Sequence, residues 1–104
     1  MRQRIEWDPE KARSNFRKHG IAFEVASTVF DDPYHRSKPD ERVGYEDRWQ
    51  TIGMVNGVSV TFVAHARIEV DDGGWPTEVI RIISARRATK AERAFYERGR
   101  GWRR

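Results

Sequence analysis

Arginines recur close to aromatic side chains along this sequence, a combination that suits binding to a phosphate backbone with stackable bases. The segment from Arg81 to Arg104 holds nine Lys/Arg and two Asp/Glu, so the overall charge of +4 understates a concentrated basic end. Charge patterning alone is a weak signal, because a basic helix is often only a solvated face. The candidate nucleic-acid-binding side chains from this pattern are Arg48, Trp49, Arg67, Arg81, Arg86, Arg87 and Tyr96.

One histidine is placed where it could transfer protons near neutral pH. His65 lies within Val58–Ile68, where every even position is apolar. We predict that the even positions face the core and that the odd positions form an open face. That open face would carry His65, Arg67 and, from the following strand, Arg81. The alternative is a hydrogen-bonded surface histidine without a catalytic role.

Sites that depend on metals, cofactors or membranes lack their usual sequence signals. The chain has no cysteine, its three histidines stand apart, and its paired carboxylates at residues 31–32 and 71–72 coincide with turn signals. It has no Walker loop and no GxGxxG. We therefore expect no metal site and no cofactor. Without a long apolar run or a signal peptide, we expect a cytoplasmic protein with no membrane association.

The first part of the chain predicts a short strand followed by two helices. Arg2–Trp7 alternates polar and apolar side chains near its end. The Asp8-Pro9 pair supplies an N-cap and a first helical residue, and Gly20 ends that helix. A second helix is predicted over Phe23–Phe30. Residues 34–42 form an edge strand at most.

From Trp49 onwards the pattern becomes that of an antiparallel meander. Strands are predicted at Trp49–Val55 and Val58–Ile68, joined by Asn56-Gly57, the strongest short hairpin signal. A turn at residues 71–74 leads into the last strand, which continues into a helix. Thr89 and Glu92 are spaced as a capping box at its start.

These elements predict an α+β fold in a single domain over residues 1–104. The N-terminal helices would pack on the meander, and the C-terminal helix would follow it. Gly99 is the expected residue just beyond that helix, and residues 99–104 are expected to form a mobile tail.

Three groups of residues form a recognisable combination of motifs. They are Trp7-Asp8, Lys11, Asn15, Lys18-His19-Gly20-Ile21, Phe23, Ala26, Phe30 and Asp31; Arg48-Trp49 with Ile52-Gly53; and RIISAR.AT..ER..YE from Arg81 to Glu97. Together they resemble the BrnT-like toxins, over roughly Trp7 to Arg98. The sequence departs from that family before the second helix, where Ala22 and Val25 replace a capping pair and should weaken the helix start by about 1 kcal/mol.

The resemblance implies a RelE-like fold and the toxin of a type II toxin–antitoxin pair. Such a toxin is a metal-independent endoribonuclease, free or ribosome-dependent, that inhibits translation and growth. Its partner is a DNA-binding antitoxin encoded by the adjacent gene, and the complex binds its own promoter DNA. By the same resemblance, Arg48 and Arg86 belong to the site, and Lys11 and Lys18 belong to a conspicuous helical motif.

The sequence therefore yields two sets of candidate residues for an RNA-cleaving site. The catalytic candidates are Arg48, His65, Arg67, Arg81 and Arg86. The RNA-binding candidates are Lys11, Lys18, Trp49, Arg87 and Tyr96. The alternative function is a non-catalytic basic module that binds nucleic acid or a protein partner through the same residues.

Overall fold

The computed structural model describes residues 2–42, 44 and 47–100. No helix in this described part is long and apolar enough to cross a membrane. The elements are β1 (Arg2–Trp7), α1 (Pro9–His19), α2 (Phe23–Ala26), a 3₁₀ helix (Ser27–Asp31), β2 (Arg36–Pro39), β3 (Arg48–Val55), β4 (Ser59–Asp72), β5 (Trp75–Arg87) and α3 (Lys90–Gly99).

The strands form one five-stranded sheet in the order β1-β5-β4-β3-β2. Strands β3 to β5 form the antiparallel meander that the sequence predicted, and β2 adds an edge strand beside β3. Strand β1 joins it in parallel beside β5, with Ile5 opposite Ile80 and Trp7 opposite Ile82. Its position beside the last strand was not predicted, because nothing local in Arg2–Trp7 specifies a partner seventy-five residues away.

One face of the sheet, called here the buried face, is covered by α1, α2 and the 3₁₀ helix. Residues directly opposite one another on paired strands share a face. Val63 and Ala85 are such a pair, and both are buried against Phe23. The core on this face comprises Phe23, Ala26, Val29, Val55, Val63, Ile82 and Ala85, with Ile5, Trp7, Ala12, Ile21 and Phe30 at its rim.

The opposite face, called here the trough face, is covered at one end only. There α3 packs Tyr96 against Ile52 and Val60 of the sheet. The middle of this face carries polar and small side chains from β2 to β5, and Ile68 and Val79 lie opposite one another towards its other end. The sheet therefore has one continuous core and one smaller core beneath α3.

The predicted division of β4 into a core face and an open face is wrong. Val63 and His65, at odd positions, are both fully buried on the helix-covered side. Even-numbered Phe62 and Ala64 lie on the trough face and are half-buried. Because apolar side chains are needed on both faces of a sheet with helices on both sides, the run of apolar even positions did not identify the more buried face.

The helix starts follow the sequence closely. Asp8 caps α1 by accepting a hydrogen bond from the backbone N–H of Glu10 at 3.0 Å. Thr89 and Glu92 form the predicted capping box of α3. Ala22 makes no side-chain cap, and regular α-helix after it lasts only over Phe23–Ala26 before tightening into the 3₁₀ helix. The structure therefore confirms a helical segment at the predicted place, but its second half is a 3₁₀ helix and not the continuation of an α-helix.

The end of α3 differs from the prediction. Gly99 is the last helical residue, and Arg100 caps the helix in right-handed geometry, so Gly99 is not the expected left-handed terminator. A Cβ at Gly99 would lie 2.7 Å from Cδ of Arg36. The Arg36 side chain therefore passes directly over Gly99, and a larger residue at this position would require that side chain to move. Residues 101–104 of the predicted mobile tail lie outside the described residues.

The predicted hairpin between β3 and β4 is confirmed. Asn56 and Gly57 both have positive φ, at 55° and 66°. The N–H of Val58 donates to the carbonyl of Val55 at 3.0 Å, which closes the turn. These are the features of a type I′ turn, which matches the twist of the flanking strands.

Asn15 of α1 completes the hydrogen bonding of β5 where β1 no longer reaches. The last residue of β1, Trp7, pairs with Ile82, so Ala85 has no strand partner on that side. The Asn15 side chain donates from Nδ2 to the Ala85 carbonyl at 2.9 Å, and its Oδ1 accepts from the Ala85 N–H at 3.1 Å. This buried amide therefore replaces one residue of a neighbouring strand.

We predict that Asn15→Ala lowers the free energy of unfolding by about 2–4 kcal/mol, because it leaves both polar backbone groups of buried Ala85 without partners. Urea unfolding measures the loss. The control is Ser14→Ala on the exposed side of the same helix, which should change stability by less than about 0.5 kcal/mol. A loss below about 1 kcal/mol for Asn15→Ala would contradict the role given to this amide.

Candidate nucleic-acid interface

On the uncovered part of the trough face, side chains lie in rows that are determined by the pairing of the strands. Neighbouring strands lie about 4.8 Å apart, so each row of opposed residues crosses the sheet at known spacing. The rows are Arg48–Ala66–Arg81–Glu6, Lys38–Gln50–Ala64–Ser84 and Arg36–Ile52–Phe62–Arg86.

Positively charged side chains lie on both sides of these rows, and β4 contributes alanine to the middle of two rows and Phe62 to the third. Arg48 on β3 and Arg81 on β5 are two strands apart, so their Cα atoms are separated by about 10 Å. The middle positions on β4 are Ala64 and Ala66. The result is a shallow trough with alanine at its floor. Its flanking cations are Arg36, Lys38 and Arg48 on one side and Arg81 and Arg86 on the other.

Arg86 is held in one position by contacts on several sides. Its guanidinium lies 4.0 Å from the centre of the Phe62 ring, and it binds both carboxylate oxygens of Glu92 at 2.8 and 3.0 Å. A third bond, 3.1 Å long, goes to the carbonyl of Arg87. The hydrogen bonds that Arg86 donates to the Glu92 carboxylate, opposed by partial burial, raise the pKa of Arg86. These bonds use three of its five N–H groups, and the others contact no acceptor among the described residues.

The other two predicted arginines of this face sit at its opposite end. Arg48 forms an ion pair with Asp47 at 3.3 Å. Arg81 is paired with Glu6 on the adjacent β1 at 2.6 Å. Both side chains remain about 40–45% exposed, so these pairs are of the surface kind that contributes little to stability. They can exchange their carboxylate for another anion at small cost.

A groove of about 210 Å³ separates α3 from strands β2 and β3 beside the trough. Ile52, Phe62 and Phe95 give it an apolar surface, and Arg36 and Lys38 line its open side. Arg36 stacks on the Phe95 ring at 3.7 Å and donates to the Phe95 carbonyl. A flat aromatic group with an attached anion, such as a nucleotide, fits this combination chemically.

Sequence reasoning missed four of the side chains that line the trough and groove. Arg36 and Lys38 lie in residues 34–42, where the sequence predicts at most an edge strand. Gln50 and Ser84 are not among the sequence-based candidates. Gln50 has a signal in the alternation of β3, where positions 48, 50 and 52 share a face. Arg36 and Lys38 have no such signal, because the pairing of β2 with β3 cannot be read from a four-residue strand.

His65 does not lie on the trough face, and the prediction that it shares an open face with Arg67 and Arg81 is wrong. Its Nε2 is 2.7 Å from the Thr51 hydroxyl, and its ring meets the edge of Phe30 at 5.1 Å between centroids. Burial lowers the pKa of His65 to about 4. A fully enclosed, neutral imidazole on the far side of the sheet cannot exchange protons with a ligand in the trough.

Two further predicted residues are occupied by contacts within the protein. Arg67 lies on the buried face, stacked over Trp49 at 4.4 Å and paired with Glu78 at 2.9 Å. Trp49 faces the same way, opposite His65 on the neighbouring strand. Arg67 and Trp49 thus form a pair on the far side from the trough, and the structure does not join them with Arg86.

Tyr96 is fully buried, so the predicted stacking of a base on its ring has no room. Its hydroxyl donates to Oδ2 of Asp32 at 2.5 Å. Burial and this hydrogen bond raise the pKa of Tyr96 to about 12. Partial burial raises the pKa of Asp32, but hydrogen bonds from Tyr96 and from the N–H groups of Met54 and Tyr34 outweigh it and lower that pKa.

The three remaining RNA-binding candidates are exposed and lie outside the trough. Arg87 is at the end of β5, opposite Thr61, and so points to the other face. Lys11 and Lys18 are on α1, where they line a cavity at the edge of β5 together with Ser84. Within the described residues, no three His, Asp or Glu side chains are grouped so as to hold a metal ion.

Comparison with known proteins identifies a family and a similar solved structure. A family profile described as "Ribonuclease toxin, BrnT, of type II toxin-antitoxin system" matches residues 7–92. The crystal structure of the Brucella abortus ribonuclease toxin BrnT is similar, with 25% identity and a TM-score of 0.60, covering 86% of this chain and 100% of that one. No curated protein sequence matches the chain.

We predict that the burial of His65 makes the protein less stable in acid. Its folded-state pKa is depressed, so the unfolded chain binds the proton more tightly. The neutral His65 side chain makes its full contribution to the free energy of unfolding above its unfolded-state pKa of about 6.5. This contribution, about 3 kcal/mol in total, is lost as the pH falls towards the folded-state pKa of about 4. Urea unfolding across this pH range measures the loss.

The variant His65→Gln removes the titration while keeping a side-chain amide near the Thr51 hydroxyl. The loss of stability between pH 6.5 and 4 should be smaller in this variant by about the same amount. Identical pH dependence in wild type and His65→Gln would show that His65 does not titrate as the structure indicates.

Proposed function

Because this chain belongs to the BrnT family of ribonuclease toxins of type II toxin–antitoxin systems, we propose that its trough face binds and cleaves RNA. The observation that carries this proposal is the arrangement of Arg36, Lys38 and Arg48 on one side of the face and Arg81 and Arg86 on the other. A polyanionic backbone can approach the sheet closely at Ala64 and Ala66, and Phe62 supports Arg86 beside them. The RelE-like relationship of the fold is part of the same proposal.

In the proposed reaction, RNA supplies its own nucleophile. The 2′-OH attacks the adjacent phosphorus and loses its proton to solvent, and negative charge grows on the phosphorane oxygens. The bond from phosphorus to the 5′ oxygen of the next nucleotide then breaks, and that oxygen takes up a proton from solvent. The protein is required to stabilise that charge, and the arginine side chains do so without a metal ion. Arg86 and Arg48 are the residues we assign to this role. His65 is given no proton transfer, in contrast to the sequence-based hypothesis.

The fixed position of Arg86 is what suits it to stabilise a transition state. Donors that are already oriented cost no reorganisation when charge develops, and this is often the largest single contribution to catalysis. Phe62 below the guanidinium and Glu92 beside it provide that orientation. Arg86 is therefore the member of the trough whose loss should affect the rate most.

Membership of a type II toxin–antitoxin family implies an antitoxin as the protein partner. We propose that this antitoxin binds DNA, is encoded by the adjacent gene and carries the complex to its own promoter. We further propose that an acidic segment of it covers the trough, because carboxylates complement the cations there. Free toxin would then cleave RNA in the cytoplasm and inhibit translation and growth.

We predict that the purified protein cleaves single-stranded RNA in the presence of EDTA and leaves DNA of the same sequence intact, since DNA lacks the 2′-OH. Gel analysis of end-labelled oligonucleotides measures both reactions. Replacing the RNA by its 2′-O-methyl form is the matched control and should abolish cleavage. Loss of activity with EDTA, or cleavage of DNA, would contradict the proposed mechanism. Binding of RNA without any cleavage would favour the non-catalytic module.

We predict that Arg86→Ala and Arg48→Ala each reduce the cleavage rate by about 10²-fold or more, as expected for loss of an oriented charge-stabilising donor. Arg17→Ala removes the same charge from the far side of α1 and should leave the rate within about twofold. Thermal unfolding of each variant checks the fold. Arg86→Lys keeps the charge but not the two-pronged contact with Glu92, and it should also be slow. Full activity of Arg86→Lys would show that charge alone suffices.

A further inference from the structure

A second basic cavity lies at the exposed edge of β5, outside the trough. It measures about 160 Å³ and is lined by Ser14 and His19 of α1 and by Ile83 of β5, among others. The charged members of its lining are Lys11 and Lys18, with Asn15 and Ser84 between them. Every titratable side chain that lines it is therefore a lysine or a histidine, so the cavity suits an anion.

The cavity exists because β5 loses its strand neighbour part of the way along. Strand β1 pairs with β5 only as far as Ile82. The next residue, Ile83, is the extra residue of a β-bulge, since His65 pairs with Ile82 and Ala64 pairs with Ser84. Beyond the bulge α1 takes the place of a strand, held by the Asn15 bonds to Ala85. The edge between them is left open.

Ser84 connects this cavity with the trough. It lies opposite Ala64 in the middle row of the trough face, and it also lines the edge cavity. A strand of nucleic acid that lies across Ala64 and Ser84 meets no sheet beyond β5 in this row. It can continue directly over the edge to α1.

The two lysines are arranged along that continuation. They are seven residues apart on α1, so they lie on the same side of the helix with a separation along its axis of about 10.5 Å. Within residues 2–42, 44 and 47–100 neither lysine forms an ion pair. By contrast, Arg13 on the other side of the helix is paired with Glu10. The charges of Lys11 and Lys18 are thus available to an external anion.

We propose that the edge cavity is a phosphate-binding site for the RNA segment that continues from the trough, with Lys11 and Lys18 contacting its backbone. This inference rests on the proposed function, since it extends the path of the same substrate. The two lysines hold the strand without touching the phosphate that is cleaved. They add to affinity and position the substrate, and they take no part in bond breaking.

The test is the salt dependence of binding to a single-stranded 2′-O-methyl RNA of about 16 nucleotides, which the proposed reaction cannot cleave. Each phosphate contact on a single strand contributes about 0.7 to the slope of log K against log salt. The double variant Lys11→Ala/Lys18→Ala should therefore lower the slope by about 1.4. Its Kd at about 0.1 M salt should rise by about 25-fold, if the affinities converge near 1 M.

The matched control is Arg13→Ala/Arg17→Ala, which removes two charges from the same helix. Arg13 follows Lys11 by two residues, so it lies about 200° further around the helix, away from the edge cavity. This variant should keep the wild-type slope. Equal losses of slope in both double variants would overturn the proposal, because only general attraction to a basic helix would then be at work. An unchanged slope in the lysine variant would overturn it as well.

Cleavage of two substrates separates this inference from the proposed function. With long RNA the lysine variant should show a raised KM and an unchanged kcat, whereas with a short RNA that fills only the trough it should match wild type. Cleavage by wild type with no effect of the lysines on KM would refute the edge site and leave the nuclease proposal standing. If wild type cleaves no RNA but the slope falls by about 1.4, the edge site stands and the nuclease proposal fails.

Discussion

Strand β5 must have its backbone hydrogen bonds satisfied along two edges, and most of the molecule is arranged around that requirement. On one edge it pairs with β4 from Trp75 to Arg87. On the other edge β1 pairs with β5 as far as Ile82, and the side-chain amide of Asn15 in α1 hydrogen-bonds to the backbone of Ala85. The change of partner coincides with the β-bulge. It fixes where α1 sits, and it opens the sheet edge beside the basic trough.

The capping of α3 and the position of Arg86 depend on the same carboxylate. Glu92 accepts from the backbone N–H of Thr89 at 2.9 Å as part of the capping box, and it also binds Arg86. The hydrogen bond from Arg86, opposed by partial burial, lowers the pKa of Glu92. A signal that determines only a helix start in the sequence therefore also orients the central cation of the proposed site. This double use couples the stability of α3 to the geometry of the trough.

Asp32 links three parts of the chain behind that helix. Its carboxylate accepts from the Tyr96 hydroxyl of α3, from the N–H of Met54 in β3 and from the N–H of Tyr34 beyond the 3₁₀ helix. The sequence marked Asp32 as a turn residue before proline and Tyr96 as a stacking surface. Both assignments were local, whereas the partners lie 22 and 64 residues away. Such a pairing has no periodicity that a sequence pattern could show.

The sequence by itself determined most of the helices and strands, and it carries the motifs of the family resemblance. Local rules sufficed for the Asp8 cap, the Asn56-Gly57 hairpin and the capping box of α3, because each depends on neighbours within a few residues. Tertiary structure alone decided which face of β4 is buried. Both faces of the sheet carry a helix, so the apolar pattern was ambiguous and His65 was placed on the wrong side. Tertiary structure also decided which cations meet, since Arg36 and Lys38 reach the trough only through the pairing of β2 with β3. Strand register is a property of two distant segments together, and neither segment contains it alone.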